Sequence, residues 1–198
     1  MKTVKTAEIT REVARLCGEA NFDLGEDVEA ALRRGVKEEE SPVGRDIFSQ
    51  LLENARLARR NKTAMCQDTG VAIIFVEAGQ DIHVEGGALS EAIHAGVRQG
   101  YQEHYLRKSL VAHPLDRKNT GDNTPAMIYY DVVPGDRLKI MVVPKGGGSE
   151  NMSGIAMLKP SQGRAGVVDF VVGVIKKAGP NPCPPIVVGV GIGGTFER

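Results

Sequence analysis

Apolar residues recur every three or four positions through the first third of the chain, which is the spacing of amphipathic helices. The pattern predicts one helix around residues 9–20 and a second around residues 28–36. A third helix opens at Ser41-Pro42, where a capping side chain precedes a proline at the first helical position. Cys17 lies on the apolar face of the first helix, so we expect a packed core thiol there rather than a metal ligand.

The pattern changes beyond residue 63, where apolar runs and turn-forming clusters replace the helical spacing. The predicted elements are a buried strand over 71–76, a helix over 88–106, a hairpin of strands 127–133 and 138–143, a helix over 165–177 and a strand from Ile186. Together they predict a mixed α/β (α+β) fold, in which an N-terminal helical segment precedes a mixed β-sheet with covering helices. We expect a single domain over residues 1–198, with a helical subregion 1–63 and a sheet-containing subregion 64–198.

Composition narrows the class of protein. The 198 residues include 25 Lys and Arg against 25 Asp and Glu, and the basic residues are scattered, which favours a small-molecule function and neither nucleic acid nor membrane as partner. No apolar stretch approaches the roughly 20 residues of a membrane span and the N-terminus lacks a signal-peptide core, so we expect a cytoplasmic protein. Three cysteines in a chain of this size favour free thiols or metal ligands in a reducing compartment.

The first candidate site is the segment MCQDTG, residues 65–70, where a loop enters the predicted strand 71–76. Loops held at strand ends commonly carry ligands. A soft sulfur ligand in Cys66, beside the amide of Gln67 and the carboxylate of Asp68, therefore indicates a site. The alternative is that Cys66 is a small buried hydrophobic residue, as single cysteines near strands often are.

Two glycine-rich segments are candidates for binding a negatively charged ligand. Residues 145–149, KGGGS, follow a strand, and the amides of Gly146, Gly147 and Gly148 could approach a negatively charged ligand, although a plain tight turn explains the glycines equally well. The run at 189–194 satisfies the pattern G-x-G-x-x-G. The helix and the distant acidic residue of a dinucleotide fingerprint do not follow it in the sequence, so we assign it no nucleotide site.

Cys183 lies within residues 181–185, NPCPP, where prolines stiffen the loop that displays the thiol. It is too far from Cys66 in sequence for a zinc knuckle, so any shared metal must be assembled by the fold. Two thiolates from separate loops suit an iron–sulfur cluster or zinc. The histidines show no metal-ligand spacing, and we expect surface or satisfied core positions for His83, His94, His104 and His113.

Four segments carry a family resemblance: residues 65–70, the turn-forming NTGDNTP at 119–125, residues 145–149 and residues 181–185. In this order they resemble the α subunit, or N-terminal region, of the oxygen-sensitive class I fumarate hydratases and the related tartrate dehydratases, over nearly the whole chain. The resemblance implies a lyase of the tricarboxylic acid cycle that reversibly hydrates fumarate to L-malate. It also implies a 4Fe-4S cluster held by three cysteines, with one iron left open as a Lewis acid for the substrate.

The resemblance assigns roles residue by residue. The implied cluster ligands are Cys66 and Cys183, and the implied substrate contacts are Gln67, Asp68, Arg107, Gly146, Gly147 and Gly148, of which Gln67 and Asp68 are also catalytic. Arg107 is implied to hold a carboxylate of the substrate. An arginine suits this task because its guanidinium can bind a carboxylate with two hydrogen bonds.

The third cluster cysteine of the family lies well past the second, so we expect it outside this chain, with the sequence truncated before it or the cluster completed elsewhere. The family's proton-transferring threonine and its remaining substrate-binding cations belong to the β region. We therefore expect a heteromer with a β subunit or region, a homodimer of the α region, and no hydratase activity in the chain alone. The alternatives are a tartrate dehydratase subunit or a cluster-free interaction or regulatory module of the same fold.

Overall fold

The N-terminal helices follow the apolar periodicity of the sequence. In the computed structural model, which describes residues 2–195, they are α1 (Thr6–Phe22), α2 (Glu26–Glu38) and α3 (Pro42–Asn61). The Ser41 hydroxyl caps α3 by accepting a hydrogen bond from the Gly44 amide at 3.3 Å, and Lys62 ends the helix in a left-handed conformation. All three predicted helices are confirmed.

The other elements mix strands and helices. They are β1 (Lys2–Lys5), β2 (Val71–Gly79), β3 (Ile82–Glu85), α4 (Leu89–Glu103), β4 (Met127–Val133), β5 (Leu138–Lys145), α5 (Gly147–Glu150), a 3-10 turn (Pro160–Gln162) and α6 (Gly163–Ala178). The sequence did not predict β1, which pairs with β3 in a parallel two-stranded sheet. The strand predicted from Ile186 is wrong, because no strand of the described residues pairs with that segment. The mixed α/β fold class is confirmed.

The three-stranded sheet has the order β4-β2-β5, with β2 parallel to β4 and antiparallel to β5. The predicted hairpin is wrong, because β2 lies between the two strands that the hairpin would have joined. Their connector crosses the end of β2, where the Gly79 amide donates to the Arg137 carbonyl at 2.8 Å and the Asp81 amide to the Gly135 carbonyl at 2.9 Å. A Cβ atom at Gly79 would lie 2.4 Å from the Gly135 carbonyl oxygen, so the crossing requires glycine.

One face of β2 packs into the core with α1 and α4. Its side chains Ala72, Ile74 and Val76 are buried in one cluster with residues of both helices. Burial of an aliphatic side chain such as Ile74 stabilises the fold by roughly 1.5–3 kcal/mol. The helices approach closely where a Cβ atom at Gly100 would lie 2.7 Å from the Ala14 carbonyl oxygen.

The opposite face of β2 is open to solvent. Phe75 is 41% exposed and stacks on Tyr129 of the neighbouring strand with ring centroids 5.3 Å apart. The strand predicted over residues 71–76 is therefore present, but it is buried on one face only.

Contacts divide the chain into two units, Met1–Lys145 (unit 1) and Gly146–Arg198 (unit 2). Unit 1 contains both sheets and α1–α4, and unit 2 contains α5 and α6. The predicted subregion boundary after residue 63 falls inside unit 1, because α1 packs against α4 and β5. The single domain over the whole chain stays a prediction. Within residues 2–195, no helix is both long enough and apolar enough to span a bilayer.

Candidate functional site

The segment before Cys66 is fixed by two asparagines from different helices. The Met65 amide donates to the backbone carbonyl of Asn21 in α1 at 3.0 Å, and the Met65 carbonyl accepts from the side-chain amide of Asn54 in α3 at 2.7 Å. Asn21 is itself buried and donates to the Cys17 carbonyl at 2.8 Å. The chain therefore enters the candidate site at a position that both helices determine.

The segment after Asp68 is held by three buried side chains. The Tyr101 hydroxyl donates to the carbonyls of Thr69 at 2.9 Å and Gly70 at 3.3 Å, and the Asn123 side-chain amide donates to the Gly70 carbonyl at 3.1 Å. The Thr69 hydroxyl donates to the Arg107 carbonyl at 2.8 Å. Burial raises the pKa of the Tyr101 hydroxyl above its ordinary value, so this group remains a protonated donor.

Between these anchors, Cys66 and Gln67 are exposed and Asp68 is half-buried. The Cys66 sulfur lies 3.4 Å from the Asp68 amide, which donates to it, and 3.7 Å from the side-chain oxygen of Gln67. Backbone amides that donate to sulfur are among the groups with which proteins tune iron–sulfur clusters. An exposed thiol with such a donor, on a segment anchored at both ends, fits a ligand of a soft metal better than it fits the alternative of a buried hydrophobic residue.

Arg107 belongs to the same region of unit 1. Its carbonyl accepts the Thr69 hydroxyl, while its side chain is exposed and makes no ion pair with any residue in the described range 2–195. The Thr69 side chain thus joins the Cys66 loop to the backbone of the Arg107 loop. Together they present a thiol, an amide, a carboxylate and a guanidinium, which are groups that suit a metal and a carboxylate ligand.

The second thiol lies in unit 2. Cys183 is exposed, with φ of 61°, and its amide donates to the Pro180 carbonyl at 3.1 Å. Residues 147–150 form the short helix α5 rather than an open loop, and a Cβ atom at Gly148 would lie 3.3 Å from the Asn181 carbonyl oxygen. The glycine-rich segment therefore approaches the turn that leads to Cys183 within this unit.

Cys17, His94 and His104 occupy packed positions, whereas His83 and His113 are exposed. Cys17 is 1% exposed, and burial raises the pKa of its thiol to about 12, as expected for a core residue. His104 packs edge-on against Phe22 with ring centroids 5.3 Å apart, and His94 lies 3.8 Å from the Glu91 carboxylate. Across residues 2–195, no three His, Cys, Asp or Glu side chains are grouped as metal ligands.

Sequence reasoning missed the side chains that hold the site. Tyr101 looked like one more apolar position of α4, and Asn123 looked like one turn former among several. Both are 1% exposed. A tyrosine at a core-facing helical position is a usable signal, since a buried hydroxyl requires a hydrogen-bond partner.

The chain is similar to known proteins over nearly its whole length. The sequence pattern of the family described as fumarate hydratase (Fumerase) matches residues 10–198. A putative L(+)-tartrate dehydratase subunit alpha from Methanocaldococcus jannaschii is 42% identical over 96% of this chain and 68% of its own length. An Escherichia coli L(+)-tartrate dehydratase subunit alpha is 32% identical over 96% of this chain and 63% of its own length.

Fumarate hydratase 2 from Leishmania major is 35% identical over 82% of this chain and 29% of its own length. The chain thus spans 63% to 68% of the length of these two tartrate dehydratase subunits. The match of the family pattern to nearly every residue, together with these identities, leads to one conclusion: the chain belongs to the fumarate hydratase (fumerase) family.

Proposed function

We propose that this chain is the α part of an iron–sulfur hydro-lyase that reversibly hydrates fumarate to L-malate. The observation that carries the proposal is the segment of Cys66, Gln67 and Asp68, which is anchored at both ends and whose Thr69 is hydrogen-bonded to the loop of Arg107. A hydro-lyase acting on a dicarboxylate needs a Lewis acid, hydrogen-bonding groups for the hydroxyl, and cations for the carboxylates. This region of unit 1 supplies candidates for all three.

Cys66 and Cys183 would hold the 4Fe-4S cluster, and the third cysteine would come from outside these residues. Cys17 is unsuited because its thiol is buried among core side chains and its pKa is raised to about 12. The exposed thiols have the chemistry that such a cluster requires, since iron–sulfur clusters are held by thiolates. When bound, the cluster supplies a Lewis-acidic iron that polarises the carbon–oxygen bond that forms or breaks.

The protein groups orient the substrate and handle its protons. We assign to Asp68 a hydrogen bond to the malate hydroxyl, and to Gln67 an amide hydrogen bond to the same end of the substrate. In hydration Asp68 would accept a proton from the attacking water, and in dehydration it would return that proton to the departing hydroxyl, which leaves as water. Arg107 would hold a carboxylate with two hydrogen bonds, and the amides of Gly146–Gly148 would bind carboxylate oxygens. The proton at the neighbouring carbon would be moved by a group of the β region.

The names of two relatives support a β subunit or region as the partner of this chain. The Methanocaldococcus and Escherichia coli proteins are named subunit alpha, which implies a further subunit in those proteins. We infer that this chain likewise works with a β subunit or region, and that two α regions associate as a homodimer.

Tartrate is the second candidate substrate. The Methanocaldococcus relative, 42% identical to this chain, is named a putative L(+)-tartrate dehydratase subunit alpha, whereas the Leishmania relative is named a fumarate hydratase. Tartrate carries a second hydroxyl where malate has a hydrogen. A site built to bind that hydroxyl discriminates strongly against a substrate without it.

The test is turnover in the reconstituted complex. The chain and its β partner are purified without oxygen, supplied with iron and sulfide, and assayed for malate formed from fumarate and for oxaloacetate formed from L(+)-tartrate. We expect malate formation with the larger kcat/KM. Oxaloacetate formation alone would establish the tartrate dehydratase, and a stable complex without iron or either activity would leave the cluster-free interaction module.

A further inference from the structure

Asn123 is a buried polar residue in a loop made of turn formers. Its side chain is 1% exposed, whereas Gly121 and Pro125 on either side of it are exposed. Its backbone has φ of 61°, a left-handed conformation that asparagine adopts more readily than most residues. Asp122 shapes the turn beyond it, because its carboxylate accepts hydrogen bonds from the Thr124 amide at 3.0 Å and the Thr124 hydroxyl at 2.8 Å.

The Asn123 amide joins two segments that the sequence separates widely. Its oxygen accepts hydrogen bonds from the backbone amides of Ser109 at 2.8 Å and Leu110 at 3.1 Å. Its nitrogen donates to the Gly70 carbonyl at 3.1 Å. The first pair of bonds lies just after Arg107, and the third lies just after Asp68. One side chain therefore fixes the distance between the two loops that carry the proposed substrate contacts.

Few other side chains could make this set of bonds. The position requires an acceptor for two amides and a donor for one carbonyl, all buried, and the primary amide of asparagine supplies both. Aspartate matches its size and accepts the two amides, but an ionised carboxylate cannot donate to Gly70. The Thr69 hydroxyl also ties the two loops together, through the Arg107 carbonyl, but it does not reach the amides of Ser109 and Leu110. The Tyr101 hydroxyl ties the Cys66 loop to α4 instead.

We propose that Asn123 is a positioning residue, which holds the Arg107 loop against the Cys66–Asp68 segment and thereby sets the spacing between the carboxylate-binding and hydroxyl-binding groups. This inference rests on the proposed function for its effect on turnover. Its structural part, that Asn123 restrains the Cys66 segment, holds for the protein without cluster or substrate. Misplacement of a binding group by about 1 Å can slow a reaction roughly 100-fold, so loss of this restraint is measurable in the kinetics.

The main variant is Asn123→Gly, which keeps the left-handed backbone and removes all three side-chain hydrogen bonds. The matched control is Arg117→Gly, because Arg117 has φ of 52° in the same loop and its side chain is exposed. In the cluster-free chain, the alkylation rates of Cys66 and Cys183 are measured on separate peptides by mass spectrometry. We expect Asn123→Gly to raise the Cys66 rate on the order of fivefold, because a loosened segment no longer keeps the Asp68 amide bonded to the sulfur. Cys183 in unit 2 and the control variant should stay unchanged.

The second readout is steady-state kinetics of the reconstituted complex at full iron content. We expect Asn123→Gly to lower kcat/KM roughly 10- to 100-fold, with KM raised because Arg107 no longer faces the carboxylate correctly. Arg117→Gly should match the parent chain. If circular dichroism shows that Asn123→Gly is unfolded, Asn123→Asp replaces it, since it retains the size and the two acceptor bonds and loses only the bond to Gly70.

The outcomes separate this inference from the proposed function. A parent complex without turnover, in which Cys66 alkylation still responds to Asn123, would overturn the function and support the restraint. An active parent complex whose folded Asn123 variant has unchanged Cys66 alkylation, KM and kcat would overturn the positioning role and leave the function standing.

Discussion

The three cysteines differ in reactivity because their surroundings differ. Cys17 is buried and the pKa of its thiol is raised to about 12, whereas Cys66 and Cys183 are exposed. Since the thiolate is the reactive form, we expect iodoacetamide at about pH 8 to modify Cys66 and Cys183 of the folded chain and to spare Cys17. Peptide mass spectrometry measures this, and denaturant provides the control in which all three react. Modification of Cys17 at the rate of Cys66 without denaturant would contradict its burial.

Asp68 is the residue whose charge the proposed chemistry uses. In the reconstituted complex, Asp68→Asn should lower kcat by roughly 100-fold or more, the usual range for loss of an acid or base group, with iron content unchanged. The backbone amide that donates to the Cys66 sulfur remains in this variant, so the cluster should survive. Asp169→Asn, which removes an exposed carboxylate in α6 by the same substitution, serves as a control for the lost charge. Normal turnover in the Asp68 variant would reduce this residue to a structural role in its loop.

At the scale of single residues, the exposed residues of the candidate site were predictable from the sequence. The buried side chains that hold them in place were not. Cys66, Gln67 and Asp68 stand together in the sequence, so their chemistry can be read without a fold. Asn123 lies 53 positions from Gly70, to which it is hydrogen-bonded, and Tyr101 lies 32 positions from Thr69. Only the packing of α4 and the turn at Asn123 bring these groups together, and no local pattern specifies that packing.

At the scale of elements, replacing glycine by alanine should have opposite effects on stability in two helices. Gly100 in α4 faces the Ala14 carbonyl of α1, where an added Cβ atom would lie 2.7 Å away, whereas a Cβ atom at Gly173 in α6 would have nothing within 4 Å. We expect Gly100→Ala to lower the free energy of unfolding by roughly 1–3 kcal/mol through overpacking. Gly173→Ala should raise it by about 0.4–1 kcal/mol, because alanine restricts the unfolded chain.

Denaturant unfolding followed by circular dichroism measures both variants. The pair is its own control, since the same substitution is made in a helix each time and only the neighbouring atoms differ. Stabilisation by Gly100→Ala would show that α1 and α4 do not approach as closely as the structure has them.

The helices were more predictable from the sequence than the order of the strands. The apolar periods identify α1 to α4 and α6 because a helix is a local structure. The order β4-β2-β5 is non-local: two strands joined by a short turn usually pair, and here β2 separates them. The turn at Pro134-Gly135 bonds to the end of β2 instead, and the only local sign of this is Gly79, which accommodates the crossing.

At the scale of the whole molecule, the proposed function depends on Cys66 and Cys183 both being ligands of the cluster. All three cysteines lie within residues 10–198, the range that the family pattern matches, so each of them needs its own test. A hydroxyl is a far poorer iron ligand than a thiolate, so serine variants test each ligand separately with almost no change in side-chain size.

The most direct measurement is the iron and acid-labile sulfide content of the anaerobically reconstituted complex of the chain with its β partner, in the parent and in three variants. We predict that Cys66→Ser and Cys183→Ser each lose the cluster and that Cys17→Ser retains the parent content of iron and sulfide. Circular dichroism confirms that all three variants are folded before the comparison is made. Full iron content in folded Cys66→Ser would contradict the account.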